Sequence, residues 1–512
     1  MILSSMTAGR RAVRVIVPPM AFTALIYLTR VRPIPLFQVC CSVVVLTMAW
    51  AAYLQWKERG YRTLPVFAML AVAYWLYYVP ALFWGHRRYK PSVPTIVGDT
   101  AVSETMLLVA LGVACLWLGM RSGLGRRLIP ATVLDIRPTD TGNWHYTRLV
   151  LVAGMLMSYA LRTPVDLGVG SRQLLMLLSS AVPTMAFALV FRRYLQGRAA
   201  AIDGLLVAFF LGGRFLVGMS SGWLGAAVSL VVLCAATFLY ERRKLPVTAL
   251  LILVPFVMFF QVGKEQFRQT FWSTHVEASM VERISFWSSE SLSAWTAALE
   301  DPSGERWRGL ADKSLGRLSL LQQTANVMEM TPSVVPYQYG RLYSYLVVTL
   351  IPRAIWPQKP SVNDANRFYQ VAYGITDERN LEGVSIAVGA LTESYINFGW
   401  LGVFLVMVPL GIFFDFFQHT FLAERSGYVF NAIGLTLMPL FMSIESQMAQ
   451  YLGGLVQAIV LIVIIFSPIL HRIRRGTRLS PLGQEPLWAA RAQPVFAKQP
   501  PGAALGSPPW PR

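Results

Sequence analysis

The sequence predicts an all-α polytopic integral membrane protein with about 12 transmembrane helices and one long loop outside the bilayer. Three observations point there. Hydrophobic residues make up 55% of the 512 positions and charged residues only 14%. Mean hydropathy is +0.49. The apolar residues fall in runs of roughly 20, the length that crosses a bilayer core as a helix. A soluble domain cannot hide so much apolar surface, whereas lipid accepts it.

Twelve such runs occupy about 13–29, 33–54, 64–84, 101–120, 146–161, 173–190, 201–219, 222–240, 245–262, 398–416, 429–445 and 451–469. Their internal Gly and Pro are tolerable because neighbouring membrane helices satisfy the backbone groups that such residues free. The runs at 146–161 and 201–219 are the weakest, the first by its length and the second through Arg214. No small-residue cleavage site follows the first run, so it is read as a span and not as a cleaved signal. The chain thus divides into 1–262 with nine spans, a large loop over 263–385, and 386–471 with three spans. A Pro-, Ala- and Gly-rich tail, 472–512, is predicted to be cytoplasmic and disordered.

Charge orients the bundle. Arg10, Arg11, Arg14, Arg126, Arg127, Arg192, Arg193, Arg242, Arg243, Lys244, Arg472, Arg474 and Arg475 belong to one set of connections. The other set carries only Arg30, Arg32, Arg87, Arg88, Lys90, Arg162 and Arg172. The positive-inside rule then places both termini in the cytoplasm and the long loop in the periplasm, at a bacterial inner membrane. Anchoring to anionic lipid headgroups accounts for the net charge of +19, so no nucleic-acid partner is needed.

Within the loop, 342–356 is apolar but has only about 15 residues where roughly 20 are needed to span. It is read as an interfacial or re-entrant helix ending at Pro352. Upstream, Leu318, Leu321, Ala325 and Met328 recur at helical spacing, predicting an amphipathic helix against the bundle.

Several chemistries are set aside. Cys40, Cys41, Cys115 and Cys234 all fall in apolar runs, which leaves no disulfide framework and no exposed thiol nucleophile. The five histidines are scattered without the paired spacing of a metal site, so no metal and no cofactor are expected. There is no Walker loop, no GxGxxG after a strand and no clustered Asp-x-Asp for a nucleotide sugar.

What remains is a set of cations, carboxylates and aromatics on the outer side. Arg353 and Lys359 stand among Pro352, Pro357 and Pro360, which stiffen the backbone around them; Lys264 and Arg268 open the loop. These are read as ligands for phosphate or pyrophosphate, or else as structural contacts to helix ends or lipid phosphate. An Arg inside a span costs at least about 2.5 kcal/mol on insertion scales. Arg214 therefore faces a polar cavity or a partner, or snorkels to the interface. Glu393, in the largely apolar stretch 386–398, is a general base, a sugar-hydroxyl ligand, or half of a structural salt bridge. Asp364 stands behind it as a second carboxylate. Trp356 and Tyr395 are read as sugar-stacking rings or as members of the interfacial aromatic belt.

The residues Pro352-Arg353, Trp356-Pro357 and Lys359-Pro360, followed by Glu393, Tyr395, Asn397 and Gly399 before a span, resemble the O-antigen polymerase (Wzy-type) and oligosaccharide repeat-unit polymerase family. The likeness is densest over 340–405. Arg214 followed after ten residues by Gly225 echoes an Arg-x10-Gly pattern of such polymerases, though Gly-Arg-Phe at 213–215 departs from the Gly-Ser-Arg-Gly version. The resemblance implies a GT-C-like glycosyltransferase, independent of metal, acting on undecaprenyl-pyrophosphate-linked glycans at the outer leaflet. Arg353, Arg214 and Glu393 would be catalytic. Lys359, Lys264, Arg268, Trp356, Asp364, Tyr395 and Asn397 would bind substrate. Implied partners are the lipid-linked glycans, membrane lipids, a chain-length regulator and a flippase. A glycan ligase and a non-enzymatic lipid-oligosaccharide flippase stay open beside the polymerase.

Overall fold

The computed structural model describes residues 2–60, 63–85, 97–128, 141–161, 169–273, 278–351, 356, 358–361, 364–378, 388–423 and 426–476. Among them every regular element is helical. In chain order these are α1 (Ile2–Leu28), α2 (Leu36–Glu58), α3 (Val66–Trp84), α4 (Asp99–Arg121), α5 (Leu124–Arg127), α6 (Thr141–Ala160), α7 (Val169–Leu195), α8 (Ala201–Ser220), α9 (Leu224–Arg242) and α10 (Val247–Val262). The loop contributes α11 (Lys264–Arg268), α12 (Met280–Leu299), α13 (Glu305–Leu318), α14 (Leu321–Met330), α15 (Ser344–Leu350) and α16 (Asp364–Ala372). The chain closes with α17 (Gly389–Phe421), α18 (Tyr428–Met442) and α19 (Met448–Gly476).

Each of the twelve apolar runs coincides with a helix. Nine helices among the described residues are long and apolar enough to cross a membrane, and α10 joins Lys264–Trp272 across a 57° bend as a tenth, broken candidate. The protein is a multi-pass membrane protein. Of the remaining runs, 429–445 forms the short α18, of 15 residues. The run 146–161 lies in α6, whose polar first turns lower its apolar character.

Close helix contact is bought with glycine. A Cβ on Gly119 would lie 2.1 Å from the Val408 carbonyl oxygen, and one on Gly411 would lie 2.2 Å from that of Leu116. In lipid, where association rests on packing, small residues let two backbones approach in this way. Ion pairs on buried carboxylates also pin helices together. Asp203 on α8 accepts from Arg148 on α6 at 2.7 Å and pairs with Arg193 on α7 at 3.6 Å. Arg126 beside α4 pairs with Asp415 on α17 at 3.2 Å.

The helix α17 is not one straight rod. At 33 residues it would run about 50 Å, well beyond a hydrocarbon core of about 30 Å. Helical geometry fails at Phe398 and at Gly399, whose φ is +60°. A Cβ on Gly402 would sit 2.1 Å from the Ser394 carbonyl oxygen, although eight residues of straight helix separate such positions by about 12 Å. Ala390 and Leu410 line one and the same small cavity. The chain therefore doubles back at Phe398, and a short arm (389–397) lies against a long arm (400–421). The predicted span at 398–416 is the long arm; the short arm is a folded-back helix that the sequence alone does not announce.

The loop helices are set against α3, the start of α4 and the short arm. Sequence spacing predicted one amphipathic helix through Leu318 and Met328. The structure breaks it at Ser319 and Leu320, where Leu320 donates its N–H to the Tyr77 carbonyl inside α3. The resulting α14 is buried on every side from Leu321 to Met328, polar Gln322, Gln323, Thr324 and Asn326 included. The apolar stretch 342–356 gives α15, which runs alongside α19. Gln457 donates to the Thr349 carbonyl at 2.9 Å, and Thr349 lies against Gly453. Pro352 lies outside the described residues.

Candidate functional site

The short arm of α17 begins at Gly389, whose φ of +77° and near contact with the Ile444 carbonyl exclude a side chain. Leu391 packs onto Gly112 of α4, about 20 Å along that helix from Asp99. The arm thus sits well inside the bundle. Its broken end would leave unsatisfied carbonyls in an apolar setting, which costs several kcal/mol per group. The segment 337–340 supplies the missing donors. Gln338 N–H donates to the Ile396 carbonyl at 3.0 Å and Tyr339 N–H to that of Asn397 at 2.9 Å. The Asn397 side chain completes the cap, donating to the Glu393 carbonyl at 2.8 Å and accepting from Gly340 N–H at 3.1 Å. Asn397 is therefore the device that closes the break.

One turn back from this cap lies Glu393, 1% exposed. Its Oε2 accepts the Met448 N–H at 2.7 Å. Met448 opens α19, so this amide is one of the free donors at a helix start, where a carboxylate is stabilised by the helix dipole. The other oxygen, Oε1, is buried and accepts no hydrogen bond among the described residues. A buried acceptor without a donor is costly, on the order of 1–3 kcal/mol. Such an atom is a place for a ligand hydroxyl or a water.

Among the described residues the buried Tyr343 hydroxyl forms no hydrogen bond of ordinary geometry, and the Asn397 amide approaches its oxygen as a looser donor. Its ring stacks on Phe398 at 6.2 Å between centroids, and its oxygen feels the Glu393 carboxylate and the Asn397 amide. Burial first, and then the Glu393 charge, hold its hydroxyl far above the ordinary tyrosine range. It stays protonated and is a donor at any physiological pH.

A second polar layer lies beside the first. Thr324 of α14 is joined to Thr392 at 2.8 Å and to Tyr78 of α3 at 3.2 Å. Tyr369 of α16 and Tyr373 just after it are buried against α14, the latter hydrogen-bonded to Thr331 at 2.5 Å. Burial pushes the Tyr373 hydroxyl up to about 12, the Thr331 contact working in the opposite direction. Helix α14 and the turn Arg341–Tyr343 thereby pack onto the short arm, with Tyr369 and Tyr373 holding α14 from behind.

The sequence-predicted residues separate into two groups. Glu393, Tyr395 and Asn397 come together on the short arm. Tyr395 is buried and packed edge-on against Tyr337 and Trp400. Lys359, also buried, donates to the carbonyls of Val348 and Ile351 at 3.0 and 2.6 Å, closing the C-terminal end of α15. Asp364 turns back onto the Ser361 N–H at 3.0 Å and pairs with Arg367 at 3.4 Å, capping α16. Trp356 is 42% exposed. Lys264 and Arg268 stand on α11 beside a second, smaller aromatic core of Phe267, Phe271 and Trp287, with Arg268 over the Trp272 ring at 4.2 Å. Arg214 bridges α8 to α7, its Nη2 donating to the carbonyls of Ser179 and Ser180 at 3.2 Å. Pro183 has no N–H to offer Ser179, and Arg214 with Ser158 takes up that released acceptor. Arg353 lies outside the described residues.

Tyr343 and Thr392 were not singled out by sequence reasoning. Tyr343 stood in a stretch read for its apolar content, and nothing in the spacing tied it to a carboxylate fifty residues away. Among the described residues no three His, Cys, Asp or Glu side chains converge to hold a metal.

A family model described as "Domain of unknown function (DUF8712)" matches residues 135–471. The chain belongs to the DUF8712 family. No curated protein and no solved structure matches it. The DUF8712 region takes in α6 through most of α19, hence the doubled arm, the loop helices and Glu393. The walls that α3 and α4 lend to the site, Tyr78 and Gly112 among them, lie before the DUF8712 region.

Proposed function

We propose that this DUF8712 protein is a glycosyltransferase of GT-C-like architecture, with about twelve spans and both termini cytoplasmic. It joins undecaprenyl-pyrophosphate-linked repeat units into a surface polysaccharide at the periplasmic face. The observation that carries this reading is Glu393, a carboxylate buried under loop helices with one oxygen fixed by Met448 and the other open. That is the arrangement a general base needs: held in place, shielded from water, with a free lone pair.

In the reaction, the acceptor sugar's hydroxyl gives its proton to Glu393 Oε1. The oxygen forms a bond to the donor's anomeric carbon. The bond from that carbon to the diphosphate oxygen breaks, and its electron pair leaves with the lipid diphosphate. General base catalysis contributes typically about 10²–10⁴-fold. The leaving diphosphate needs a cation; with Lys359 and Arg214 occupied on backbone carbonyls, that part falls to Arg353. The loop helices position the two substrates.

The test is complementation of a deletion strain by full-length variants, with glycan length read on gels. Glu393→Gln, which keeps the contact to Met448, and Arg353→Ala are expected to insert normally and to abolish chain extension. A parental ladder from either variant removes that residue's role. A ligase in place of a polymerase would leave long lipid-linked chains in the deletion strain. Helix breaks at Gly263 and Phe398 also occur in transporters; a flippase would trap single repeat units on the cytoplasmic side.

A further inference from the structure

Among the described residues, two buried oxygens, Glu393 Oε1 and the Tyr343 hydroxyl, form no hydrogen bond of ordinary geometry; the short arm of α17 carries one and the 3₁₀ turn Arg341–Tyr343 the other, and the Tyr343 oxygen is close enough to feel the Glu393 charge and a contact from the Asn397 amide. One is an acceptor and the other a donor. The positive start of α19 already meets half of the carboxylate through Met448, which weakens the pull on a cation. A neutral group that both donates and accepts fits both atoms, and a hydroxyl is the simplest such group. We infer that Tyr343 is the second ligand of the acceptor hydroxyl, donating to its oxygen while Glu393 Oε1 accepts its proton. This rests on the transferase reading and adds to it a positioning residue.

The geometry around Tyr343 supports the assignment. Its ring is fixed by the stack on Phe398, and the turn that carries it is tied to the short arm through Gly340 and Asn397. Tyrosine and carboxylate are therefore held by the same cap, so their spacing does not depend on the loop as a whole. A donor fixed in this way lowers the entropic cost of aligning the hydroxyl.

The experiment uses full-length protein in nanodiscs and, as probe, lipid-linked repeat units extracted from a strain deleted for this chain. Equilibrium binding and chain extension are both measured. Tyr343→Phe keeps the stack and removes only the hydroxyl. It is expected to weaken binding of the probe, and to raise its KM, by roughly three- to tenfold with kcat within about twofold, as for loss of one hydrogen bond. Thermal unfolding should match the parent. Unchanged binding and KM, or a loss of activity that tracks a lowered Tm, overturns the inference. Weakened binding in a protein that extends no chains would keep the hydroxyl site and remove the polymerase reading. Absence of binding to the parent protein would sink both.

Discussion

Gly402→Ala tests the doubling of α17, on which the site depends. The added Cβ would lie 2.1 Å from the Ser394 carbonyl oxygen, 2.9 Å from its carbon and 3.1 Å from Phe398 Cβ. Two of these three atoms are backbone and cannot rotate away. Ordinary contact at 3.4 Å requires the arms to part by about 1.3 Å. Such over-packing costs about 1–3 kcal/mol. It would also move Glu393 relative to Met448. Were 389–421 a straight helix, the same change would meet open lipid and stabilise by up to about 1 kcal/mol, as Ala over Gly does in a helix interior. The sign of the effect therefore decides. The assay is thermal unfolding in nanodiscs followed with a thiol-reactive dye, since Cys41 and Cys115 are buried and react as the bundle opens. Gly212→Ala and Gly213→Ala, with nothing within 4 Å of either added Cβ, serve as controls and should leave Tm level or slightly raised. Gly402→Ala should lower it by a few degrees. A Gly402→Ala protein as stable as the parent would refute the hairpin.

Three further outcomes are expected. Arg214→Ala should cost about 1–2 kcal/mol by stripping a donor from the Ser179 carbonyl. In a Pro183→Ala background, where the helix supplies its own N–H, the cost should largely vanish; additive losses in a double-mutant cycle would contradict this. Asp203→Asn leaves Arg148 and Arg193 without their shared carboxylate and should destabilise by on the order of 3 kcal/mol, read from the same unfolding assay. Ser303→Cys, in an exposed turn between α12 and α13, should react with a membrane-impermeant maleimide added outside spheroplasts of a Cys40→Ala background. Labelling only after lysis would place the loop in the cytoplasm and end the proposed chemistry.

Legibility in the sequence followed the range of the forces involved. The twelve apolar runs as helices, the shortness of the 342–356 helix and the burial of Glu393 can be read locally, from run length and from a charge standing in an apolar stretch. Arg214 was equally conspicuous, yet its partner is a carbonyl released by Pro183 on another helix, and no spacing rule connects the two. Lys359 shows the same limit: beside prolines it reads as a phosphate ligand or as a structural contact to a helix end, and only the structure puts its ammonium on the carbonyls that close α15. Asn397 and Gly399 were noticed as a motif, but their physical task, capping a broken membrane helix with the backbone of 337–340, is a long-range one.

By itself, then, the sequence determined that this chain lives in a membrane as a bundle of apolar helices. The partition of apolar side chains between water and lipid is set residue by residue and sums along the chain. Only the tertiary structure decided where α17 folds back, which cations are spent on carbonyls, and that Glu393 keeps one free oxygen beside Tyr343. Those outcomes depend on the pairing of backbone and side-chain groups distant in sequence, and in a setting without water each such group must find its partner inside the fold.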